Sequence, residues 1–251
     1  MCMPVVSREL FFEGLRTLVD LDREWAPARE GAALYIRPFQ FATDTRMRVR
    51  ASASYRYAVI CSPAGGYFPR PVRVKIEREY VRAAPGGTGF AKCGGNYGGA
   101  FYPTEKAKTE GYDQVLWTDA RNHEYVEESG MMNVFFVIGD TLVTPPLTDT
   151  ILDGITRDSL ITLASDEGIV VEERPISVKE IQKGLENGDV REAFGAGTAA
   201  VVSPIETIGV DGRDLHLPVC GEGGVALRLK AILDDIRYGR RPDVHGWNYY
   251  V

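Results

Sequence analysis

The segment Gly86-Gly87-Thr88-Gly89-Phe90-Ala91-Lys92-Cys93-Gly94-Gly95-Asn96-Tyr97-Gly98-Gly99 is the most distinctive stretch of the chain. Seven of its fourteen residues are glycine, and its one lysine lies at the centre. Glycine lets a backbone approach a ligand closely and adopt positive φ angles without steric cost. A lysine that is crowded and partly desolvated by a bound ring is a better nucleophile. The segment therefore predicts a ligand site built around Lys92.

Three alternative interpretations compete for this segment, and its residues argue against the first two but leave the third open. A P-loop requires G-x-x-x-x-G-K-[ST], which Ala91-Lys92-Cys93 does not supply. A dinucleotide-binding fingerprint requires G-x-G-x-x-G, but Lys92 stands where the third glycine should follow Gly87-Thr88-Gly89. The third alternative is a solvated surface loop, since glycine clusters are common in loops.

The composition of the 251 residues, 44% hydrophobic and 25% charged, is that of a globular protein with one large or two smaller domains. A net charge of -6 argues against nucleic acid or an anionic membrane as the main partner. The four cysteines are scattered and the three histidines lie far apart, so we expect reduced thiols in a cytoplasmic protein and no metal site. We expect no membrane span, because no run of about 18 apolar residues exists.

The apolar periodicity predicts a mixture of helices and strands without strict βαβ alternation, which favours the α+β class. Ser7 should cap a helix that runs to about Asp22, and Ser177 with Glu180 should form a capping box. Other helices are predicted at residues 94–111, 154–166 and 223–238. Strands are predicted at residues 33–41, 55–61, 72–77, 114–118, 125–127, 134–138, 141–143 and 169–173. Residues 191–204, with small residues at the centre, are predicted as a loop that leads into a strand.

Five other motifs surround the glycine-rich segment in a fixed order. They are Leu34-Tyr35-Ile36-Arg37-Pro38, Glu128-Ser129-Gly130-Met131-Met132-Asn133, Thr144-Pro145-Pro146-Leu147, Ile151-Leu152-Asp153-Gly154-Ile155-Thr156-Arg157 and Phe194-Gly195-Ala196-Gly197-Thr198-Ala199. With G-G-T-G-x-A-K-x-G-G-N-Y, they resemble the motifs of the branched-chain amino acid aminotransferases, fold-type IV enzymes that use pyridoxal 5′-phosphate (PLP). The resemblance covers essentially the whole chain. It implies part of a small α/β domain at residues 1–61, an interdomain loop at 62–70 and a larger mixed α/β PLP-binding domain at 71–251.

The resemblance also implies which residues would hold the cofactor. Lys92 would be the Schiff-base lysine and would carry the proton between substrate and cofactor. Tyr97 would bond to the phenolic oxygen of the cofactor, and Glu128 would keep its pyridine nitrogen protonated. Free N–H groups at a helix start bind phosphate. Phosphate contacts are implied for Gly154, Ile155, Thr156 and Thr198. The adjacent Glu127 should point the opposite way along a strand, and we expect it to be a solvated surface charge.

Substrate contacts follow from the same resemblance. The implied residues are Tyr35, Arg37, Tyr67, Thr198 and Ala199, which would hold the α-carboxylate or line the pocket. Met132 is a further candidate for the apolar pocket, and Met47 and Val49 would reach in from the second subunit of a homodimer.

The sequence departs from the family pattern at its front. Family members begin with additional strands and an arginine that binds the cofactor phosphate, in a segment resembling F-E-G-L-K-A-Y-R. That segment is absent from this sequence, so we expect a truncated chain with weakened cofactor binding. Some family members carry a redox C-x-x-C pair where this chain has Ala200 and Ser203.

The expected function is PLP-dependent transamination of L-leucine, L-isoleucine and L-valine with 2-oxoglutarate, through a ping-pong mechanism. Amino acids and 2-oxo acids would be the small-molecule partners. One alternative within the same fold is a D-amino acid aminotransferase or aminodeoxychorismate lyase. The other is a truncated, inactive chain that acts as a subunit or binding module.

Overall fold

The computed structural model describes residues 1–29, 31–65, 70–219, 221 and 223–251, and the chain divides into two compact units. The first unit is Met1–Tyr67 with Tyr249–Val251, and the second is Phe68–Asn248. Three predictions fall on residues outside the described part of the chain: Tyr67 as a substrate contact, residues 66–69 of the interdomain loop, and Cys220 as a reduced thiol.

In its described residues, the first unit contains one α-helix, a short 3-10 helix at Arg23–Trp25 and a hairpin of two long strands. Helix α1, Arg8–Asp22, begins as predicted at Ser7, whose Oγ accepts a hydrogen bond from the Leu10 amide at 3.2 Å. Strands β1, Ala33–Ala42, and β2, Tyr55–Ala64, pair antiparallel. The predicted interdomain loop at 62–70 therefore begins too early, since its first three residues belong to β2.

The second unit contains nine strands and five helices in the part of it that the structure describes. The strands are β3 Val72–Ile76, β4 Gln114–Thr118, β5 Val126–Ser129, β6 Met132–Ile138, β7 Thr141–Thr144, β8 Val170–Glu173, β9 Val190–Gly197, β10 Val201–Val210 and β11 Arg213–His216. The helices are α2 Gly94–Gly98, α3 Phe101–Thr109, α4 Ile155–Asp166, α5 Val178–Asn187 and α6 Val225–Arg237.

Six of these strands close into a ring through their hydrogen-bonded pairs. Strands β3 to β6 are joined in sequence order, β3 pairs in parallel with β10, and β9 pairs antiparallel with both β6 and β10. Strands β7 and β8 continue from β6, and β11 continues from β10. The mixed arrangement confirms the α+β class.

Strand β6 separates two hydrophobic cores because successive side chains of a strand point to opposite faces. Val134 and Phe136 pack into the core that includes Ile181 of α5, whereas Phe135 and Val137 pack into the core that α4 and α6 cover. Asn133 shares the second face by the same alternation. The strand thus directs a polar side chain toward the start of α4.

Two of the predicted elements are wrong. Residues 191–204 are not one loop: β9 ends at Gly197 and β10 begins at Val201. The single helix predicted at 94–111 is divided into α2 and α3. Pro103 has no N–H to donate to the Gly99 carbonyl, so it can only lie in the first turn of a new helix.

No helix in the described part of the chain is both long enough and apolar enough to cross a membrane.

Candidate active site

The glycine-rich segment packs against the loop that precedes α4. A Cβ atom added at Gly89 would lie 2.6 Å from both the Cβ of Ala83 and the Cα of Thr150, so only glycine fits there. The Phe90 amide donates to the Asp149 carbonyl at 3.0 Å. We expected glycine to allow close approach to a ligand, but at Gly89 the close neighbour is the chain's own backbone.

Replacing Gly89 by alanine is therefore expected to destabilise the second unit by about 1–3 kcal/mol, the usual cost of overpacking. The matched control is Gly94→Ala, because a Cβ at Gly94 meets nothing within 4 Å and alanine favours helix at the start of α2. Thermal unfolding of both variants measures the difference. Equal unfolding temperatures for the two variants would show that a Cβ atom at Gly89 does not destabilise the protein.

Asn96 fastens the loop that carries Lys92. Asn96 lies in the short helix α2, and its Nδ2 donates to the carbonyls of Thr88 and Ala91, at 2.7 and 2.9 Å. The loop is thereby closed on both sides of Phe90, and the backbone immediately before Lys92 is fixed.

Lys92 and Tyr97, both predicted as cofactor residues, lie side by side in the structure. The Lys92 Nζ donates a hydrogen bond to the Tyr97 Oη at 2.8 Å, and the lysine side chain is exposed. A ligand that reaches the amine can therefore also reach the phenol.

Glu128 is a buried carboxyl group on β5, with 2% of its surface exposed. Its Oε1 accepts from the Leu152 amide at 2.6 Å, and its Oε2 pairs with the Arg82 Nε at 2.9 Å. Burial raises the pKa of Glu128 to about 7, although the positive charges of Arg82 and, more weakly, Lys92 act to lower it. This carboxyl group therefore titrates close to neutral pH.

Arg82 is a site residue that the sequence interpretation missed. Besides Glu128, it contacts two carbonyl oxygens: Nη1 donates to Thr150 at 2.6 Å and Nη2 to Gly89 at 3.2 Å. One buried guanidinium thus joins β5, the loop before α4 and the loop of Lys92. The sequence held one signal for a buried Arg82, because the other residues of Val81-Arg82-Ala83-Ala84 are small or apolar.

The prediction that Glu127 is a solvated surface charge is wrong. Glu127 is 9% exposed, and its Oε1 accepts a hydrogen bond from the Thr150 Oγ at 2.6 Å. The alternation rule assumed that the face opposite Glu128 meets solvent. Every residue of β5 is buried, so both faces of this strand are covered.

The start of α4 offers free amides beside Glu128. Gly154 is the N-cap residue, and no side chain caps the helix there. Asn133, which pairs with Glu128 across β5 and β6, donates from Nδ2 to the Leu152 carbonyl at 2.8 Å. Its Oδ1 occupies the space that a Cβ at Gly154 would need. The first amides of α4, those of Ile155 and Thr156, have no intrahelical acceptor.

Thr198 and Ala199 lie in the exposed turn between β9 and β10. Ala196, just before this turn, pairs with Asn133 on β6, so the turn lies at the same end of the sheet as Glu128. Met132, predicted for the substrate pocket, is 5% exposed and packs against Gly195. The structure thus brings the predicted cofactor residues of the second unit to one end of the sheet.

The remaining predicted residues belong to the first unit. On β1, the Arg37 Nη2 donates to the Tyr35 Oη at 2.9 Å, which gives a hydroxyl and a guanidinium side by side. Met47 and Val49, between β1 and β2, are fully exposed.

Comparison with known proteins identifies the family. A family model described as amino-transferase class IV matches residues 5–208. The chain belongs to this family. A probable branched-chain-amino-acid aminotransferase of Staphylococcus epidermidis is 44% identical over 99% of the chain and 71% of its own length. Branched-chain-amino-acid transaminase 1 of Bacillus subtilis is 42% identical over 100% of the chain and 72% of its length. These relatives place this class IV aminotransferase in the branched-chain group.

Solved structures agree with this assignment. A branched-chain amino acid aminotransferase from Escherichia coli superposes with a TM-score of 0.78 at 29% identity, over 98% of this chain and 76% of that one. The T.th. branched-chain amino acid aminotransferase, solved in complex with N-(5′-phosphopyridoxyl)-L-glutamate, has a TM-score of 0.81 at 27% identity, over 98% and 76%. The fold-type IV architecture of this class IV aminotransferase is therefore confirmed.

Proposed function

We propose that this class IV aminotransferase transfers the amino group of L-leucine, L-isoleucine and L-valine to 2-oxoglutarate, with PLP as its cofactor. The observation that carries the proposal is the exposed amine of Lys92 hydrogen-bonded to Tyr97, close enough to Glu128 for its charge to lower the pKa of that buried carboxyl group. An amine that can bond to the cofactor and a carboxyl group that can pair with its pyridine nitrogen are the side chains that this chemistry uses, and the phenol lies beside the amine.

The side chains and amides of the second unit fit PLP. Two of the α4 amides, with the half-buried Thr156 hydroxyl, are the donors that a phosphate group needs at a helix start. We infer that Gly154, Ile155, Thr156 and Thr198 hold this phosphate. Glu128 would hold the proton on the pyridine nitrogen, and Arg82 would keep the Glu128 carboxylate in place. When bound, PLP supplies the electron sink that lets an amino acid lose its α-proton.

Lys92 has two tasks in this proposal. Its Nζ is the amine that would hold the cofactor, and when free it would accept the proton that leaves the substrate Cα. Tyr97 Oη, at 2.8 Å from Nζ, would orient the amine before it accepts that proton.

We propose donors for a substrate carboxylate within each unit. In the second unit they are the amides of the exposed residues Thr198 and Ala199. In the first unit they are the Tyr35 hydroxyl and the Arg37 guanidinium, whose planar fork suits a carboxylate. We also infer substrate contact for Tyr67. Apolar contacts separate leucine, isoleucine and valine by only about 1–3 kcal/mol per methylene, so one enzyme should accept all three.

We further propose a homodimer, in which the exposed Met47 and Val49 lose contact with water at the interface. Light scattering should then give twice the chain mass of 27.7 kDa. If the mass stays that of one chain at the protein concentrations used in the activity assays, the homodimer is contradicted.

The experiment that tests the function is a visible absorbance spectrum of the full chain with added PLP, before and after each amino donor. We expect a cofactor band that L-leucine bleaches within a turnover, that D-alanine leaves intact and that 2-oxoglutarate restores. Bleaching by D-alanine alone would favour the D-amino acid aminotransferase alternative. Absence of any band would favour an inactive chain that acts as a subunit.

A further inference from the structure

Glu127 is a buried titratable group for which the proposed chemistry has no task. Its Oε1 accepts one hydrogen bond, from the neutral Thr150 hydroxyl, and its Oε2 is buried without a hydrogen-bond partner among the described residues. Burying an ionised carboxylate is costly unless it is paired. Such a group therefore requires either a counter-ion or a proton.

The positive charge that lowers the pKa of Glu127 is that of Arg82, which already has other partners. Arg82 makes its ion pair with Glu128, and its Nη1 donates to the carbonyl of Thr150, the residue whose hydroxyl binds Glu127. Two buried carboxyl groups on consecutive residues therefore share one guanidinium. Thr150 connects them, through its hydroxyl on one side and its carbonyl on the other.

The other charged groups around the pair are mostly negative. Burial raises the pKa of Glu127, and Asp119 after β4 and Asp149 before α4 act in the same direction. The charge of Glu127 in turn raises the pKa of Glu128, which Lys92 weakly opposes. Ionising both Glu127 and Glu128 is therefore unfavourable. When two carboxyl groups repel each other in this way, one of them keeps its proton to a higher pH.

We propose that Glu127 is a positioning residue that forms, with Glu128 and around Arg82, a carboxyl pair holding one proton between its members near neutral pH. The functional meaning rests on the proposed function, in which Glu128 faces the pyridine nitrogen of PLP. With one proton on the pair, the trio with Arg82 is electrically neutral. Once that proton was on the pyridine nitrogen, the trio would carry one negative charge, which would face the positive ring. The hydrogen bond from Thr150 to Glu127 also holds the loop before α4, against which Gly89 packs.

Proton linkage of the cofactor-free protein tests the pair. A carboxyl group whose folded pKa is raised stabilises the fold at low pH, and this stability is lost as pH rises through the folded value. Wild-type stability should therefore fall between about pH 5 and pH 8. In Glu127→Gln, which retains the acceptor for Thr150, this fall should be smaller, because the raised carboxyl group of Glu127 is gone and its charge no longer raises the pKa of Glu128, which burial alone still raises.

The measurement is urea denaturation at several pH values, with an infrared titration of the protonated carboxyl band as a second readout. The exposed Glu124→Gln serves as the matched control and should follow wild type. We expect the carboxyl band of Glu127→Gln to disappear at a pH about one unit below that of wild type. Parallel stability curves for wild type and Glu127→Gln, with an unmoved infrared band, would overturn the proposal. Both readouts need no cofactor, so they remain decisive if PLP fails to bind.

Discussion

Lys92→Ala is expected to lower the transamination rate by about 10⁴-fold, the upper range for a positioned proton carrier. The variant loses both the amine that bonds to the cofactor and the group that moves the substrate proton. Its free energy of unfolding should stay within about 0.5 kcal/mol of wild type, because Lys92 is exposed and its hydrogen bond is to Tyr97. Steady-state rates with L-leucine and urea denaturation measure the two quantities.

Lys108→Ala is the control for this experiment. Lys108 is also exposed and also has one side-chain partner, Glu105 at 2.7 Å, but it lies on α3. Its rate should remain that of wild type. A general base usually contributes at least about 100-fold to the rate. If Lys92→Ala keeps more than roughly a hundredth of the wild-type rate, another group moves the proton.

Arg82→Met is expected to destabilise the second unit by about 3–5 kcal/mol, the cost of removing one partner from a buried ion pair. The side chains of Arg82 and Glu128 are 4% and 2% exposed, so water cannot replace the lost charge. The carbonyls of Thr150 and Gly89 lose their donors in the same variant. Methionine preserves much of the volume of the arginine stem, which confines the change to charge and hydrogen bonding.

The loss in Arg82→Met should depend on pH. Arg82 lowers the pKa of Glu128, so its removal raises that pKa further above the usual carboxyl value. The stability that protonated Glu128 provides is present in acid and is lost as pH rises through this higher value. Urea denaturation should show a larger loss at pH 8 than at pH 5.

Arg78→Met provides the comparison. Arg78 pairs with Asp211 at the surface, where such a bridge contributes about 0–1 kcal/mol. The double variant Arg82→Met/Glu128→Gln should recover part of the stability lost in Arg82→Met, because it removes the unpaired charge. A loss at Arg82 no greater than at Arg78, or one independent of pH, would mean that the buried pair does not stabilise this fold.

Several elements follow directly from local chemistry. Ser7 begins α1, Ser177 accepts from the Glu180 amide at the start of α5, and β4 spans the predicted residues. In each case one side chain or a short apolar run decides the structure by itself. Lys92 and Tyr97, each singled out by the motif as a cofactor residue, lie five positions apart, and their hydrogen bond is likewise a local contact.

The failures share a different cause, contact with distant segments. Strand β9 contains Gly195 and Gly197, which favour no strand on their own. It forms because it pairs with two other strands, and Gly195 leaves room for Met132. Glu127 was assigned to the surface because nothing near it in sequence shows that Thr150 covers it. Arg82 was missed because its partners Glu128 and Thr150 lie far from it in sequence, although its apolar neighbours were a local signal.

The ring of β3 to β6, β9 and β10 has a consequence for how the chain reaches its native state. Its parallel seam joins a strand that begins at Val72 to one that begins at Val201, so most of the second unit must be made before the ring can close. Pairings between such distant residues make folding slow, on the scale of about milliseconds to seconds for small domains. During synthesis, β3 to β6 emerge with edges that have no partner yet. Until β10 arrives, these edges are exposed to pairing with other chains, and this interval is when a nascent chain is most prone to aggregate.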